Sequence, residues 1–306
     1  TISQVADEDV TVNLGSAGTS TNGTDYGSLT SITVSAGATT GTASFTPTDD
    51  TIYEGNETAI ISISSVSGAD ATESGSQSVT ITIVEDDSTP VVTLSTSATS
   101  IAENAGSSLT LTATLSNATT EDVTVALSTS GTGTEGTDYS TISDITVTAG
   151  NTTGTASFTP TDDSVYEGNE TGVVAISTVS GGSANESGTP QEVTITINDN
   201  ESAPTVTLSS SATSISEDAG SSLTLTATLS VATTADVTVG ISTSGTGIEG
   251  TDYSTISDIT ISAGDTTGTA SFTPTDDNIY EGDETGIVAI DTVSGGSANE
   301  SGTPQE

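Results

Sequence analysis

The chain has 306 residues, of which 42 are Asp or Glu and none is Lys, Arg or His, so its formal charge is −42. Without basic side chains nothing can neutralise phosphate groups, which excludes binding to nucleic acid and docking to anionic membranes. The chain also lacks Cys, so only carboxylates and hydroxyl groups remain as catalytic groups. We therefore predict that the protein is not an enzyme.

Hydropathy and protease sites add two further expectations. No apolar run approaches the roughly 20 residues that a membrane-spanning helix needs, so we expect no membrane insertion in this segment. The absence of Lys and Arg leaves trypsin-like proteases without a cleavage site, which suits a protein that works outside the cell.

A repeat of about 114 residues organises the sequence. The motif TTGTASFTPTDD begins at Thr39, Thr152 and Thr266, and YEGNET at Tyr53 and Tyr166 returns as YEGDET at Tyr280. This period is far longer than the 20 to 50 residues of a solenoid repeat, so each repeat is predicted to be a whole domain. We expect three domains, at residues 1–88, 89–202 and 203–306.

The second repeat alternates apolar and polar residues with a period of two. Leu109, Leu111, Ala113 and Leu115 are separated by Thr, which is typical of a strand with one buried face. Seven short strands separated by Gly, Asn, Asp and Ser turns predict an all-β, two-sheet sandwich. The predicted strands are residues 91–97, 108–116, 122–130, 144–150, 153–161, 172–180 and 192–198.

The outer repeats are predicted to be incomplete. Aligning Val10 with Val123 leaves the first repeat without its first strand and most of its second, and the third repeat without its last strand. We therefore expect a section of a longer array. The linkers at 87–90 and 201–204 are short and contain Pro, so neighbouring domains are expected to lie end to end.

Acidic residues collect in loops that we expect at one end of each sandwich. In the second repeat they occur in TDDSVYEGNE, in GTEGTDY, after the first strand and after the last. Carboxylates held together without a cation repel one another, and Ca²⁺ takes six to eight oxygen ligands in adaptable geometry. Calcium is therefore the predicted counter-ion, although an Asp-Asp pair on its own is equally consistent with a turn or a solvated face.

The order of these motifs resembles the Calx-beta domain. SIAENAG, GTDY, DDxxYEGxE and an acidic triplet that closes the last strand occur in that order, and the likeness covers essentially the whole chain. The resemblance implies tandem immunoglobulin-like, seven-stranded β-sandwiches, each with several calcium ions at one tip.

The resemblance also implies the ligands, by position in each repeat. In the second repeat they would be Glu103, Asp138, Asp162, Asp163, the carbonyl of Val165, Glu167, Glu170 and Asp199. In the first repeat they would be Asp25, Asp49, Asp50, Ile52, Glu54, Glu57, Asp86 and Asp87. In the third repeat they would be Glu217, Asp252, Asp276, Asp277, Ile279, Glu281 and Glu284. Asn198-Asp199-Asn200 is aligned with Glu85-Asp86-Asp87, which predicts a lower ligand charge in the second repeat.

The function predicted from these features is a calcium-binding shaft or filament of a secreted or cell-surface adhesin or matrix protein. Its partners would be calcium and further copies of the repeat, in the same chain or in a filament. Two alternatives are a calcium-sensing regulatory module and a module that binds a ligand or carbohydrate. Tyr26, Tyr139 and Tyr253 could form a contact surface for such a ligand, but we expect them to pack in the core or against loops.

Overall fold

Short strands make up most of the regular structure in the computed structural model, which describes residues 1–189 and 191–302. The first repeat contains β1 (Val10–Gly18), β2 (Ile32–Val34), β3 (Ile52–Tyr53), β4 (Glu57–Ser67) and β5 (Ser78–Ile83). The second contains β6 (Val91–Thr96), β7 (Ser100–Ala102), β8 (Leu109–Leu115), β9 (Ala118–Thr119), β10 (Val123–Gly131), β11 (Ile145–Val147), β12 (Thr153–Phe158), β13 (Val165–Tyr166), β14 (Glu170–Ser180), β15 (Asn185–Glu186) and β16 (Glu192–Asn198). The third contains β17 (Thr205–Ser210), β18 (Leu223–Leu229), β19 (Ala232–Thr233), β20 (Val237–Gly245), β21 (Ile259–Ile261), β22 (Thr267–Phe272), β23 (Gly286–Ser294) and β24 (Asn299–Glu300), with a 3-10 helix at Glu217–Ala219.

The second repeat is a two-sheet sandwich with all seven predicted strands. One sheet has the order β11-β10-β14-β16-β7 and the other has the order β12-β8-β6-β15. The alternation in β8 places Leu111, Ala113 and Leu115 in the buried core, while the Thr residues between them stay more exposed. The fold prediction is therefore confirmed, although the strand predicted at 153–161 ends at Phe158.

Each repeat has its own hydrophobic cluster built around a Tyr–Phe pair. The two ring centroids are 4.6 Å apart in each of these pairs, which are Tyr26–Phe45, Tyr139–Phe158 and Tyr253–Phe272. The three Tyr side chains are at most 3% exposed. They belong to the core as expected, so they do not form the contact surface that the ligand-binding alternative needs.

The outer repeats have smaller sheets than the second repeat among the residues that the structure describes. The described part of the first repeat forms one sheet, β2-β1-β4-β5, and residues 41–45, which correspond to most of β12, are not a strand because the partner strand is absent. An open cleft of ≈ 380 Å³ lies there, lined by residues such as Leu14, Phe45 and Ile81. In the third repeat the sheet β21-β20-β23 lacks a counterpart of β16 among its described residues.

Two short parallel ladders join consecutive repeats. Ile52 and Tyr53 of β3 pair with Ala118 and Thr119 of β9. In the same way β13 of the second repeat pairs with β19 of the third. The repeats therefore touch end to end through the loop that contains the acidic motif, a contact that the sequence analysis did not predict.

Candidate metal centre

The same three carboxylates converge in every repeat. In the second repeat, carboxylate oxygens of Asp138, Glu167 and Glu170 lie within 4.8 Å of one another. Glu170 begins β14, and Glu167 lies in the loop between β13 and β14. Asp138 is fixed in its turn because its Oδ2 accepts a hydrogen bond from the backbone N–H of Thr134 at 2.6 Å.

The corresponding sets in the other repeats meet the same 4.8 Å limit. They are Asp25, Glu54 and Glu57 in the first repeat and Asp252, Glu281 and Glu284 in the third. We call each of these sets the central triad.

A second group of carboxylates lies beside the central triad. In the second repeat it consists of Glu103, Asp199 and Glu201, again within 4.8 Å of one another. Glu103 follows β7, is only 6% exposed, and accepts a hydrogen bond from the N–H of Asp163 at 2.9 Å. Oδ2 of Asp199 accepts the N–H groups of Glu167 at 2.9 Å and Gly168 at 2.5 Å. Asp199 therefore connects the end of β16 to the loop that carries the central triad.

The third repeat brings together a different second group. Glu217, in the 3-10 helix, lies with Asp277 and Glu281 within 4.8 Å. Glu281 thus belongs to both groups of this repeat. All three side chains are exposed.

The closing acidic run in the first repeat requires a correction of the predicted alignment. Glu57 pairs with Ile83 and Glu170 with Ile197, which makes Asp199 the counterpart of Glu85. Oε2 of Glu85 accepts the N–H groups of Glu54 and Gly55 at 2.6 and 2.7 Å, as Asp199 does in the second repeat.

The alignment of Asn198-Asp199-Asn200 with Glu85-Asp86-Asp87 is therefore wrong by one residue. Asp199-Asn200-Glu201 corresponds to Glu85-Asp86-Asp87, so the second repeat has one carboxylate fewer in this run rather than two. Sequence reasoning missed Glu85 and Glu201 because it kept the offset set by Val10 and Val123, whereas the second repeat has one more residue between β14 and β16 than the first has between β4 and β5. The inward-facing Ile83 and Ile197 were the signal that could have set the register.

The remaining predicted ligands lie around these groups. One Asp in each repeat accepts, through its Oδ1, a hydrogen bond from the backbone N–H two residues later in the chain. The donor–acceptor distance is 2.8 Å for Asp50, 2.7 Å for Asp163 and 2.6 Å for Asp277. These bonds reach Ile52, Val165 and Ile279, of which the first two lie in β3 and β13. Asp276 is exposed next to Asp277, and Asp162 is close enough to Glu103 to affect its ionisation.

In the first repeat a cleft of ≈ 650 Å³ gathers much of the predicted set. Its lining includes Asp49, Asp50, Glu54, Glu57, Glu85, Asp86 and Asp87. The predicted convergence of these loops is therefore present in the structure.

Burial, together with the crowding of like charges, raises the pKa values of several carboxyl groups in these sites. Burial, followed by the charge of Asp138, raises the pKa of Glu167 and that of Glu170 to about 7. Burial and the charge of Asp25 raise the pKa of Glu57 in the same way to about 7. Burial of Asp199 acts to raise its pKa, but the backbone N–H groups that donate hydrogen bonds to it act to lower it. The hydrogen bonds together have the larger effect, so the pKa of Asp199 is lowered. The first and second repeats thus combine carboxyl groups whose pKa is raised with one carboxyl group, Glu85 or Asp199, whose pKa is lowered.

Two buried oxygens in the second repeat lack any hydrogen-bond donor among the described residues. They are Oε2 of Glu170 and Oε2 of Glu201, one in each carboxylate group. A buried acceptor without a donor is costly, and in a chain without Lys, Arg or His no side-chain cation can satisfy it. A donor set made only of oxygens matches the preference of Ca²⁺ rather than that of transition metals, so these residues fit a calcium site.

The fold and the site together define a class of protein. This is a tandem array of immunoglobulin-like sandwiches, each with a carboxylate cluster in its loops, and no helix in residues 1–189 and 191–302 is long and apolar enough to cross a membrane. The Calx-beta domain family matches the sequence three times, over residues 1–87, 85–201 and 199–306. The chain belongs to the Calx-beta family, whose domains are calcium-binding and non-catalytic.

Comparison with solved structures gives distant likenesses. The apo form of the Calx CBD1 domain is 18% identical, with 36% of this chain and 99% of that chain covered and a TM-score of 0.31. The calcium binding domain CBD12 of CALX1.1 is 18% identical, with 63% and 77% covered and a TM-score of 0.30. Invasin, a bacterial integrin-binding protein, is 19% identical, with 94% and 49% covered and a TM-score of 0.29. No curated protein sequence matches the chain. The family assignment rests on the sequence match.

Proposed function

We propose that this chain is a calcium-binding structural repeat region, forming the shaft or filament of a secreted or cell-surface adhesin or matrix protein. The observation that carries the proposal is the central triad, which recurs in all three repeats of a chain without a single basic side chain. Its units are residues 1–88, 89–202 and 203–306. Near-identical units suit a spacer, in which length matters more than distinct surfaces.

Calcium would be held by oxygen ligands from several loops of one repeat. In the second repeat Asp138, Glu167 and Glu170 form one group of ligands, and Glu103, Asp199 and Glu201 form the other, with room for more than one ion in each domain. Bound calcium would supply positive charge that removes the repulsion among these carboxylates. The residues themselves lie at the start of β14, at the end of β16 and in the loop after β7, which are neighbouring strands of one sheet, so their mutual attraction to a cation would cross-link these strands at one end.

The calcium affinity separates this role from that of a regulatory sensor. A structural module outside the cell needs a Kd of only about 10⁻⁴ to 10⁻³ M, whereas sensors are tuned to about 10⁻⁷ to 10⁻⁵ M. Calorimetric titration of the chelated chain with Ca²⁺ measures this directly. Weak, similar sites in the three repeats favour the structural role, and one site of sub-micromolar affinity would favour the sensor.

A stability measurement tests whether calcium is part of the fold. A ligand that binds only the native state stabilises it by about 2.7 kcal/mol at 100 times its Kd. We expect the thermal midpoint to rise in millimolar Ca²⁺ relative to chelator at equal ionic strength. An unchanged midpoint would show that calcium does not stabilise these domains and would overturn the proposal.

A further inference from the structure

A glutamate in the Gly-rich turn GTEGTDY accepts hydrogen bonds on both of its carboxylate oxygens. In the second repeat Oε2 of Glu135 accepts the hydroxyl of Thr129 at 2.6 Å, and Oε1 accepts the backbone N–H of Ile142 at 2.7 Å. Thr129 lies in β10. The carboxylate of Glu135 therefore connects the turn both to the strand before it and to the segment after it.

The turn that Glu135 fixes also carries Asp138 of the central triad. The N–H of Thr134, directly before Glu135, donates to Oδ2 of Asp138 at 2.6 Å. The N–H of Gly136, directly after Glu135, donates to the carbonyl of Tyr139 at 2.7 Å. Glu135 itself belongs to none of the carboxylate groups that converge within 4.8 Å in the described part of the chain. It can therefore act on the site through Asp138 rather than as a ligand.

The third repeat has the same arrangement, and the first repeat does not. Glu249 accepts the hydroxyl of Thr243 at 2.7 Å and the N–H of Ile256 at 2.8 Å. In the first repeat the position is Asn22, whose Oδ1 accepts the N–H of Leu29 at 3.3 Å. Among the described residues the shorter side chain of Asn22 makes no hydrogen bond to β1.

A buried hydroxyl group reflects the same difference. The position of Thr129 is occupied by Ser16 in the first repeat. The phenol oxygen of Tyr26 is buried without a hydrogen-bond partner among the described residues, whereas Tyr139 shares a hydrogen bond with Thr129. A buried polar group without a partner costs free energy. Ser16 lies inside the repeat, as Asn22 does, so the difference is a property of the unit itself.

We propose that Glu135 is a positioning residue, which holds Asp138 of the central triad in place for calcium. Glu249 has the same role in the third repeat, whereas Asn22 leaves the first repeat without it. The inference rests on the proposed function, because it concerns how the same site reaches its affinity. A ligand that is already held in position loses less conformational freedom when the ion binds, and loss of a residue that orients a metal ligand typically costs about 10- to 100-fold in affinity.

Glu135→Asn tests the proposal by giving the second repeat the residue that the first repeat has. Two-dimensional NMR of the whole chain during a Ca²⁺ titration follows the repeats separately, through the amide signals of Gly168 in the second repeat and Gly282 in the third. We expect the calcium affinity of the second repeat to fall about tenfold and that of the third to stay unchanged. The titration is run at a temperature at which the chelated variant is folded, so that unfolding does not contribute to the result.

Glu135→Gln separates position from charge. The amide oxygen can still accept the N–H of Ile142, and the amide N–H can donate to the hydroxyl of Thr129. We therefore expect this variant to keep most of the calcium affinity. A loss as large as that of Glu135→Asn would show that the charge of Glu135 matters rather than its hydrogen bonds, and would overturn the proposal.

Glu186→Asn is the matched control for a general loosening of the domain. Glu186 is half-buried as Glu135 is, and its Oε1 accepts the N–H of Gln191 at 2.6 Å. It lies in β15, which follows the end of β14, whereas the central triad lies at the start of β14. We expect its calcium affinity to match that of the unaltered chain. A loss equal to that of Glu135→Asn would overturn the proposal.

The reverse change in the first repeat gives an independent test. Ser16→Thr combined with Asn22→Glu supplies the missing hydroxyl and carboxylate, and we expect a several-fold gain in the calcium affinity of the first repeat, followed at Gly55. An unchanged affinity would contradict the proposal for this repeat. If Glu135→Asn binds calcium as tightly as the unaltered chain, the proposal fails and the proposed function stands. Absence of calcium binding in the unaltered chain would instead overturn the proposed function.

Discussion

At the scale of single residues, the central triad sets a balance between repulsion and ligation. In the second repeat Glu170 belongs to this triad, and its Oε2 is buried without a donor. Its pKa is raised to about 7, first by burial and then by Asp138. The ionised side chain therefore destabilises the calcium-free fold, whereas under the proposed function it would serve as a calcium ligand.

Glu170→Gln should change stability in opposite directions in the two states. One pKa unit corresponds to about 1.4 kcal/mol, and discounting for solvent screening leaves a gain of about 1 kcal/mol in the calcium-free free energy of unfolding at neutral pH. Removal of a ligand should lower calcium affinity in the second repeat. Denaturant unfolding and calorimetry measure the two effects. Glu192→Gln, at an exposed position of β16, is the matched control, and equal behaviour of the two variants would contradict the prediction.

Gly172 is a packing constraint of the core rather than of the site. A Cβ at this position would lie 2.7 and 2.8 Å from two ring atoms of Phe158, whereas a Cβ at Gly188 would meet nothing within 4 Å. We expect Gly172→Ala to lower the free energy of unfolding by about 1 to 3 kcal/mol, as overpacking does, and Gly188→Ala to have little effect. Denaturant unfolding compares the two variants, and equal midpoints would show that Phe158 moves aside freely.

At the scale of elements, the longer strands that pair within one repeat were predictable, whereas the strands of two or three residues, β7, β9, β13 and β15, were not. The alternation in residues 109–115 predicts β8 because its buried face recurs at every second residue. β9 and β13 have two residues each, too few to show a period, and their pairing partners lie in another repeat.

The residues of the candidate site also fall into two classes, those that could be recognised from the sequence and those that were missed. Asp138, Glu167 and Glu170 were recognisable because their motifs recur with fixed spacing. Glu85 and Glu201 were missed because the loop before the last strand is one residue longer in the second repeat than in the first, so a constant offset fails there. The alternation that ends at Ile83 and Ile197 carries the correct register, which the pairing of these residues with Glu57 and Glu170 shows.

The joint between repeats should respond to calcium because it belongs to the same loop as the site. Tyr166 of β13 is followed directly by Glu167 of the central triad. In chelator the repulsion in this loop is restored, so we expect the joints to loosen and the distribution of interdomain distances to broaden. Small-angle scattering with Ca²⁺ and with chelator measures this distribution of interdomain distances. Identical distributions from folded protein would mean that calcium acts within the domains alone.

At the scale of the whole molecule, calcium should reverse the pH dependence of stability. In the calcium-free chain the pKa values of Glu57, Glu167 and Glu170 are raised from 4.5 to about 7. At these three groups the folded state binds protons more tightly than the unfolded state, so the stability that they contribute is present at low pH and is lost as pH rises through about 7. With calcium bound, the ligand pKa values are depressed and stability is lost as pH falls through them.

The two conditions should therefore give stability curves that cross. Unfolding experiments between about pH 5 and about pH 8, with calcium and with chelator, test the sign of each slope. Curves that run parallel over this range would show that the carboxylate groups do not control folding. Constant ionic strength is the necessary control, because the chain carries −42 charges that salt screens.

The ladder between repeats has a mechanical consequence. If the array bears tension, the covalent linker and the two-residue ladder share the load, and the ladder has far fewer hydrogen bonds than the sheets of either sandwich. Local opening requires less free energy than global unfolding, so the ladders should open first and allow each joint to extend. Optical-tweezer pulling should show small, reversible extensions at low force before any domain unfolds. Such a shaft would yield under brief pulls and recover its length, with the sandwiches kept intact.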